Sequence, residues 1–333
     1  MKYRKVGSTD LLVSEVGFGV WTVSTSGWPR LSEQDAVKLL QTAHSLGVTL
    51  FDTADVHGEG YGEEILAKAL QGHRHDVALA TKVGYDFYKK PPLAATLDGK
   101  PQELSQNFSA KHIKFACERS LKRLRSDYID LYQLHKPPLE VLQQEEVFGT
   151  LKELQKEGKI RYFGAVLSNT SARNEDLKAT LQERTLPSLQ YAYNLLDREL
   201  ALAIGPVAPE GTTGVIVRDS HASGILDGSF SRKVAEALSP HLRDKALENL
   251  RKAATLEQIA KERGLTLAQM AMKFCLKKDV VSSVLPNITG IGRLAEYAAA
   301  SNAAELSELD WTLIDELCKD SFGRQASSKD NEK

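Results

Sequence analysis

A chain of 333 residues, 42% hydrophobic and 26% charged, has globular composition and enough apolar residues for a sizeable core. Its formal net charge of -1 comes without any basic block, so nothing in it recruits nucleic acid or an anionic membrane. The N-terminal MKYRKVGSTD lacks the apolar segment of a secretory leader and no run approaches bilayer-spanning length, so a cytoplasmic protein is expected.

Residues 1–15 hold two short extended pieces around GSTD, a hairpin that would plug the bottom of a barrel. Strand and helix then alternate. EVGFGVW is a first strand, followed by the helix LSEQDAVKLLQTAHSLG with Ser32 as N-cap and Gly47 as its stop. VTLFD is the second strand and runs through a glycine-punctuated loop into the helix GEEILAKALQG. VALATK is the third. A long insertion from Tyr85 to Phe108 follows, in which Tyr85, Phe87, Tyr88 and Phe108 either wall an apolar substrate pocket or fold the loop onto itself. Ser109 caps the next helix, and YIDLYQLH is the fourth strand. IRYFGAVLS, LPSLQYAYN and GVIVRDS are the fifth to seventh, and a second insertion runs from the last of these to about Asp244. Gly264 and Thr266 break the helical region TLEQIAKERGLTLAQMAMKFCLKK in two, SSVLPN is the eighth strand, and two helices close the chain.

Eight strands, each followed by a helix and with no linker between halves, predict a single-domain (β/α)8 TIM barrel over residues 1–322, with long loops after strands 3 and 7. A polar tail, 323–333, is expected to be disordered. A doubly wound sheet is the alternative, and the missing glycine-rich turn after the first strand counts against it. Cys117, Cys275 and Cys318 lie far apart, without metal-ligand spacing, and read as buried apolar residues in a reducing compartment. No metal site is expected.

Three strands end on groups that are costly to bury: Asp52, Lys82 and His135. An acid, an ammonium and an imidazole at successive strand ends point to one cluster at the C-terminal mouth of the barrel, where such folds place their chemistry.

These same segments resemble the aldo-keto reductase family. FDTADVHG is similar to that family's Asp-Thr-Ala-x-x-Tyr-Gly signature, ATKVG to its lysine strand and YQLHKP to its histidine strand, and the likeness runs from GSTDLLVSEVGFGVW to VLPNITGIGRLAEY. The resemblance implies an NADPH-dependent oxidoreductase, NADH being less favoured, that reduces a small carbonyl or imine substrate. Lys82 would supply positive charge, Asp52 would hold that lysine, and His135 would orient the carbonyl. The family's general-acid tyrosine falls on His57, an imidazole with a reference pKa of about 6.5 instead of about 10. Beside Lys82 it should be mostly neutral at pH 7 and become a better donor as pH falls through its own pKa. Three proton sources are open: His57 directly or through water, which is preferred; Tyr61; or a substrate needing little acid, such as an iminium.

For the cofactor, the resemblance assigns Gly19 and Trp21 at the end of the first strand, Gln190 to the nicotinamide carboxamide, and Arg218 to the place of a stacking aromatic. It further assigns Asp219, Gly224, Pro286 and Asn287, with Arg293 on the 2′-phosphate, Glu296 on the adenine amine and Tyr297 in place of an asparagine. The family's Ser-Asn pair falls on Val166 and Leu167, unless Ser168 and Asn169 shift into it. A cofactor-binding regulatory protein without turnover is the competing class, although it has little use for a buried charge cluster. Oligomeric state is not encoded in any of these motifs.

Overall fold

The computed structural model describes residues 1–26, 28, 31–89, 104–168, 175–207 and 211–319. The centre of the first insertion, Asn169 and the polar tail lie outside the described residues. The chain opens with β1 (Tyr3–Lys5) and β2 (Leu12–Ser14), paired antiparallel with Tyr3 opposite Ser14. Eight parallel strands follow: β3 (Phe18–Gly19), β4 (Leu50–Asp52), β5 (Ala78–Val83), β6 (Ile129–His135), β7 (Ile160–Val166), β8 (Ser188–Ala192), β9 (Gly214–Arg218) and β10 (Val281–Leu285). Each pairs with its neighbour in sequence. The last returns to the first, because Gly17 N–H donates to the Val284 carbonyl at 2.9 Å and Val284 N–H donates to the Glu15 carbonyl at 2.8 Å. The fold is the single (β/α)8 barrel that the alternation predicts.

The two-residue period of a strand divides the core into two. Phe51, Leu79, Val83, Tyr132 and Leu134 point outward and join the helices in one cluster, while Leu50, Ala78, Ala80, Leu131, Ile216 and Leu285 fill the barrel interior. Val6, Leu11 and Val13 of the hairpin belong to the interior cluster, so β1 and β2 do plug the barrel bottom. Continuing each inward row by one step reaches Asp52 on β4, Lys82 on β5, Gln133 and His135 on β6, and Arg218 on β9. The interior thus changes from apolar at the bottom to polar at the mouth.

Several helix boundaries follow the capping chemistry. Ser32 accepts from Asp35 N–H at the start of Glu33–Ser45, and Ser109 accepts from His112 N–H at the start of Ala110–Leu124. Thr266 and Gln269 form a reciprocal capping box after Gly264, which turns at φ +68°. Two expectations need correction. The first barrel strand is two residues long instead of seven, since the chain winds into the helix Trp21–Ser24 directly after it. The second insertion ends at Ser239, not near Asp244, because Pro240 occupies the first turn of the 23-residue helix Pro240–Glu262, where a missing N–H costs nothing. No helix among the described residues is long and apolar enough to cross a membrane. The three cysteines are buried and none of them is in a disulfide.

The plug is fixed by one glycine. Gly7 turns at φ +55°, and a Cβ there would lie 2.4 Å from the Thr212 carbonyl oxygen and 2.6 Å from the Gly214 nitrogen, both backbone atoms at the entry to β9. Gly7→Ala is expected to destabilise the barrel by more than about 1 kcal/mol, read as a lower urea midpoint at unchanged slope. A midpoint equal to that of the parent protein would contradict this account of the plug.

Candidate active site

At the top of the interior, Lys82 Nζ donates to Asp52 Oδ1 in an ion pair whose members are 2% and 0% exposed. Two further contacts complete it. Lys82 Nζ donates to the Thr53 carbonyl at 2.6 Å, and Asp52 Oδ2 accepts from Gln190 Nε2 at 2.9 Å and from Gln133 Nε2 at 3.5 Å. Burial lowers the Lys82 pKa from its ordinary value and the attached carboxylate opposes that shift. A buried pair of this kind is tolerable only because nearly every remaining polar atom has a partner.

His57 and His135 stand above the pair with ring centroids 5.9 Å apart and planes nearly perpendicular. Their Nδ1 atoms are buried and without a hydrogen-bond partner. Burial, then the charges of Lys82 and Lys136, push His57 down to about 3. Burial and Lys82 also hold His135 well below the usual imidazole range. Both rings are therefore neutral at pH 7, in the direction expected from the sequence, but the His57 pKa falls far below 6.5. The loop carrying His57 closes on itself, with His57 N–H on the Ala54 carbonyl and Gly62 N–H on the His57 carbonyl. Gly58 allows the turn, since it sits at φ +62° with the Ser24 carbonyl 2.4 Å from where a Cβ would be.

A cavity of about 530 Å³ runs from these rings across the mouth, bounded by Trp21, Trp28, Lys136, Val166, Arg218, Gly224, Ser229 and Asn287. Trp21 Nε1 donates to Asn287 Oδ1 at 3.0 Å, and its ring lies over Gly19, where any Cβ would fall 2.1 Å from the indole. Gln190 lines the floor, with its amide nitrogen taken by Asp52 and its oxygen left for a ligand. Asp219 and Gly224 bound the far side, where Asp219 Oδ1 accepts from Ser223 N–H at 2.6 Å. Asp219, Ala222, Ser223 and Gly224 all adopt positive φ, so this loop is a tight succession of left-handed turns. Pro286 is buried directly before Asn287. Val166 reaches the cavity, whereas Leu167 packs in the outer core.

The adenosine-side residues assigned from the sequence come together on the helix Ile291–Ala300. Arg293 Nη2 donates to the Asp227 carbonyl at 2.7 Å and Nη1 to Glu296 Oε2 at 3.3 Å, while Tyr297 OH donates to Asp227 Oδ2 at 3.2 Å. Glu296 also borders a second cavity of about 340 Å³ with Asp227, Thr266 and Ala268.

Of the two roles open to the aromatic residues of the first insertion, folding the loop onto itself is the one seen, and Phe87, Tyr88 and Phe108 give the cavity no wall. Phe87 and Tyr88 stack on one another, ring centroids 4.0 Å apart, and Tyr88 OH accepts from Arg123 on the outside of the barrel. Phe108 fills the space above Gly84. Only Tyr85 meets the site, edge-on to His135 at 5.0 Å. Tryptophans replace the missing wall, and Trp28 was overlooked although it follows the first strand, as a mouth residue must. Tyr61 opens the helix Tyr61–Ala69 and faces outer grooves that Lys82 and His135 do not share. Lys136 was also overlooked. It directly follows His135, takes φ +53° and reaches the cavity. Such a backbone costs a non-glycine residue about 1 to 2 kcal/mol.

Comparison with known proteins agrees with this geometry. Residues 15–319 match the profile of the Aldo/keto reductase family. An uncharacterized oxidoreductase, YqkF, of Bacillus subtilis (strain 168) is 31% identical over 312 residues, covering 92% of this chain and 94% of that protein. An NADH-specific methylglyoxal reductase of Escherichia coli (strain K12) is 29% identical over 332 residues, covering 96% and 99%. The holo form of aldo-keto reductase AKR11C1 from Bacillus halodurans superposes with a TM-score of 0.77 at 29% identity, covering 95% and 96% of the two chains.

Behind the cluster, on the outer face, Asp55 is fully buried and neither carboxyl oxygen has a hydrogen-bond partner. Burial, then the neighbouring Glu63, hold its pKa well above the usual carboxylate range. The unfolded chain ionises this group at a lower pH than the folded one, so Asp55 removes stability as pH rises above the unfolded value. Asp55→Asn should therefore leave the melting temperature unchanged near pH 4 and raise it near pH 8. An Asn variant that melts lower at pH 8 would show that Asp55 is ionised and paired.

Proposed function

Because the chain belongs to the aldo/keto reductase family, nicotinamide-dependent oxidoreductases of small carbonyl compounds, we propose that it reduces an aldehyde or ketone in the cavity beneath Trp21, with His57 in the acid's place. The observation that carries this reading is the convergence of the Lys82 ammonium and two neutral imidazoles, each with an unpartnered ring nitrogen, on one cavity. The far half of that cavity suits the cofactor, with the open oxygen of Gln190, the positive-φ loop at Asp219–Gly224 and the Trp21–Asn287 contact. A bound nicotinamide supplies hydride to the carbonyl carbon. The residues of this chain then deal with the oxygen.

In this reading His135 donates a hydrogen bond to the carbonyl oxygen and fixes its direction. Lys82 keeps its charge beneath that oxygen through Asp52, which favours the alkoxide that develops there. His57 delivers the proton. With a pKa of about 3, imidazolium is absent at neutral pH, so His57 acts as a neutral relay that gives its cavity-facing proton to the oxygen and regains one from water in the same cavity. The rise in rate expected on passing pH 6.5 is accordingly displaced to about pH 3. An iminium substrate would avoid the need for an acid, but Lys82, Lys136 and Arg218 give the cavity a positive field that opposes a cation. Carbonyl reduction is thus favoured over imine reduction, and a binding protein without turnover leaves the lysine and the two imidazoles without a task.

The cofactor is read as NADPH, with Arg293 on the 2′-phosphate at the first turn of Ile291–Ala300, where backbone N–H groups also favour an anion. Arg293 retains donors beyond those given to Asp227 and Glu296, and its planar fork suits phosphate oxygens.

Two measurements test this. For a simple ketone or aldehyde, kcat/KM should stay nearly flat from pH 8 to pH 5.5. His57→Tyr should raise it roughly tenfold or more at neutral pH, as an added general acid does, and His57→Phe should lower it. A wild-type rate that climbs through pH 6.5 would place the imidazole pKa there and end the relay argument. For the cofactor, Arg293→Ala should cost NADPH about 1 to 3 kcal/mol of binding and leave NADH nearly unaffected, measured by nicotinamide fluorescence titration. Equal affinities of the unaltered protein for the two cofactors would refute the assignment.

A further inference from the structure

The charges around the cavity do not balance. Three cations border it, Lys82, Lys136 and Arg218. Lys82 is neutralised by Asp52, and Arg218 lies beside Asp219, whose charge supports its own. Among the described residues no hydrogen bond or ion pair engages the Lys136 ammonium. Asp55, a buried acid near the cluster, does not border the cavity, and burial holds its carboxyl well above the usual carboxylate range.

Lys136 is also held in place more firmly than a solvated rim lysine requires. Its backbone takes a left-handed φ of +53° that lysine rarely adopts, and the strain is over-determined from three sides. Lys136 N–H donates to the Val166 carbonyl at 3.0 Å, while Gln106 Nε2 donates to the carbonyls of His135 at 3.2 Å and of Lys136 at 3.1 Å. Pro137 and Pro138 follow and fix the exit of the chain. The result is a side chain held at the residue next to His135 and bordering the same cavity as His57, Lys82 and Arg218. A strained non-glycine backbone at a cavity mouth is the kind of position at which a ligand contact resides.

We infer that Lys136 is the anion-binding residue of the substrate site, and that the carbonyl compounds this protein prefers carry a carboxylate or phosphate a few bonds from the carbonyl. This rests on the carbonyl-reductase reading of the same cavity. An anionic group at Lys136 anchors the substrate so that its carbonyl lies over His57 and His135. The oxygen then receives its proton from the neutral His57 relay, and the hydride that a bound reduced nicotinamide would supply to the carbonyl carbon completes the alcohol and leaves the oxidised cofactor.

The test pairs aldehydes that differ only in charge: succinate semialdehyde against butanal for the carboxylate, and glyceraldehyde 3-phosphate against glyceraldehyde for the phosphate. With the whole chain and either reduced nicotinamide cofactor, kcat/KM should favour the anionic member of at least one pair on the order of ten- to a hundredfold. The pair that shows the larger ratio identifies the anion. Lys136→Ala should abolish the difference within that pair, Lys136→Arg should retain most of it, and Lys136→Glu should reverse it. The advantage should also shrink as salt is raised. Equal rates within both pairs, or a loss in Lys136→Ala that falls equally on charged and neutral members, would overturn the inference. Binding of butanoate and butyl phosphate against butanamide, measured by calorimetry on the parent protein and on Lys136→Ala, separates this inference from the reading beneath it. If no aldehyde is turned over yet the anions bind in a Lys136-dependent way, the reductase reading fails and the anion site stands. If the anions bind no better than the amide, the anion site is wrong whether or not aldehydes are reduced.

Discussion

The Lys82–Asp52 pair governs the rest of the barrel mouth. Two charges removed from water must be compensated by geometry, and here the compensation draws on four strands or their ends: Asp52 from β4, Lys82 from β5, Gln133 from β6 and Gln190 from β8, with the Thr53 carbonyl as a further acceptor. Asp52, Lys82 and Gln133 each continue an inward row whose lower members are apolar, whereas Gln190 stands above Ser188. Register in the barrel and charge satisfaction at its top are therefore one constraint, because a shift by one residue would turn Asp52 or Lys82 into the outer apolar layer.

That pair also sets the electrostatics above it. Lys82 lies below two imidazoles that are already poorly hydrated, so neither accepts a proton near neutral pH, and Lys136 and Arg218 add to the same field. A phenol in place of His57 would respond to such a field by giving up its proton more readily, whereas an imidazole responds by losing its capacity to be a cationic acid. The same positive surroundings that would assist a tyrosine handicap a histidine.

Much of this was legible in the chain. The alternation of apolar runs with capped helices carries the barrel, since Ser32, Ser109 and Thr266 are helix N-caps by their local chemistry and need no tertiary partner to be recognised. Asp52, Lys82 and His135 were legible because a charged or polar side chain that ends an apolar strand is costly to bury unless it belongs to a paired cluster. The aromatic residues of the first insertion were not, because a phenylalanine packs equally well on either side of a loop. Phe87 and Tyr88 turned outward to Arg123 for reasons that lie on a different helix. Pro240 likewise started its helix four residues before the point assigned from composition.

What the sequence by itself determined is the set of elements and the identity of the groups at the strand ends, since periodicity and caps act over a few residues. Only the tertiary structure decided how far those groups perturb one another. The fall of the His57 pKa to about 3, the rise of the Asp55 pKa and the unmatched charge of Lys136 all depend on burial and on charges brought close from distant positions in the chain. Desolvation and Coulomb interactions depend on through-space distance, so they exist only once the barrel has closed.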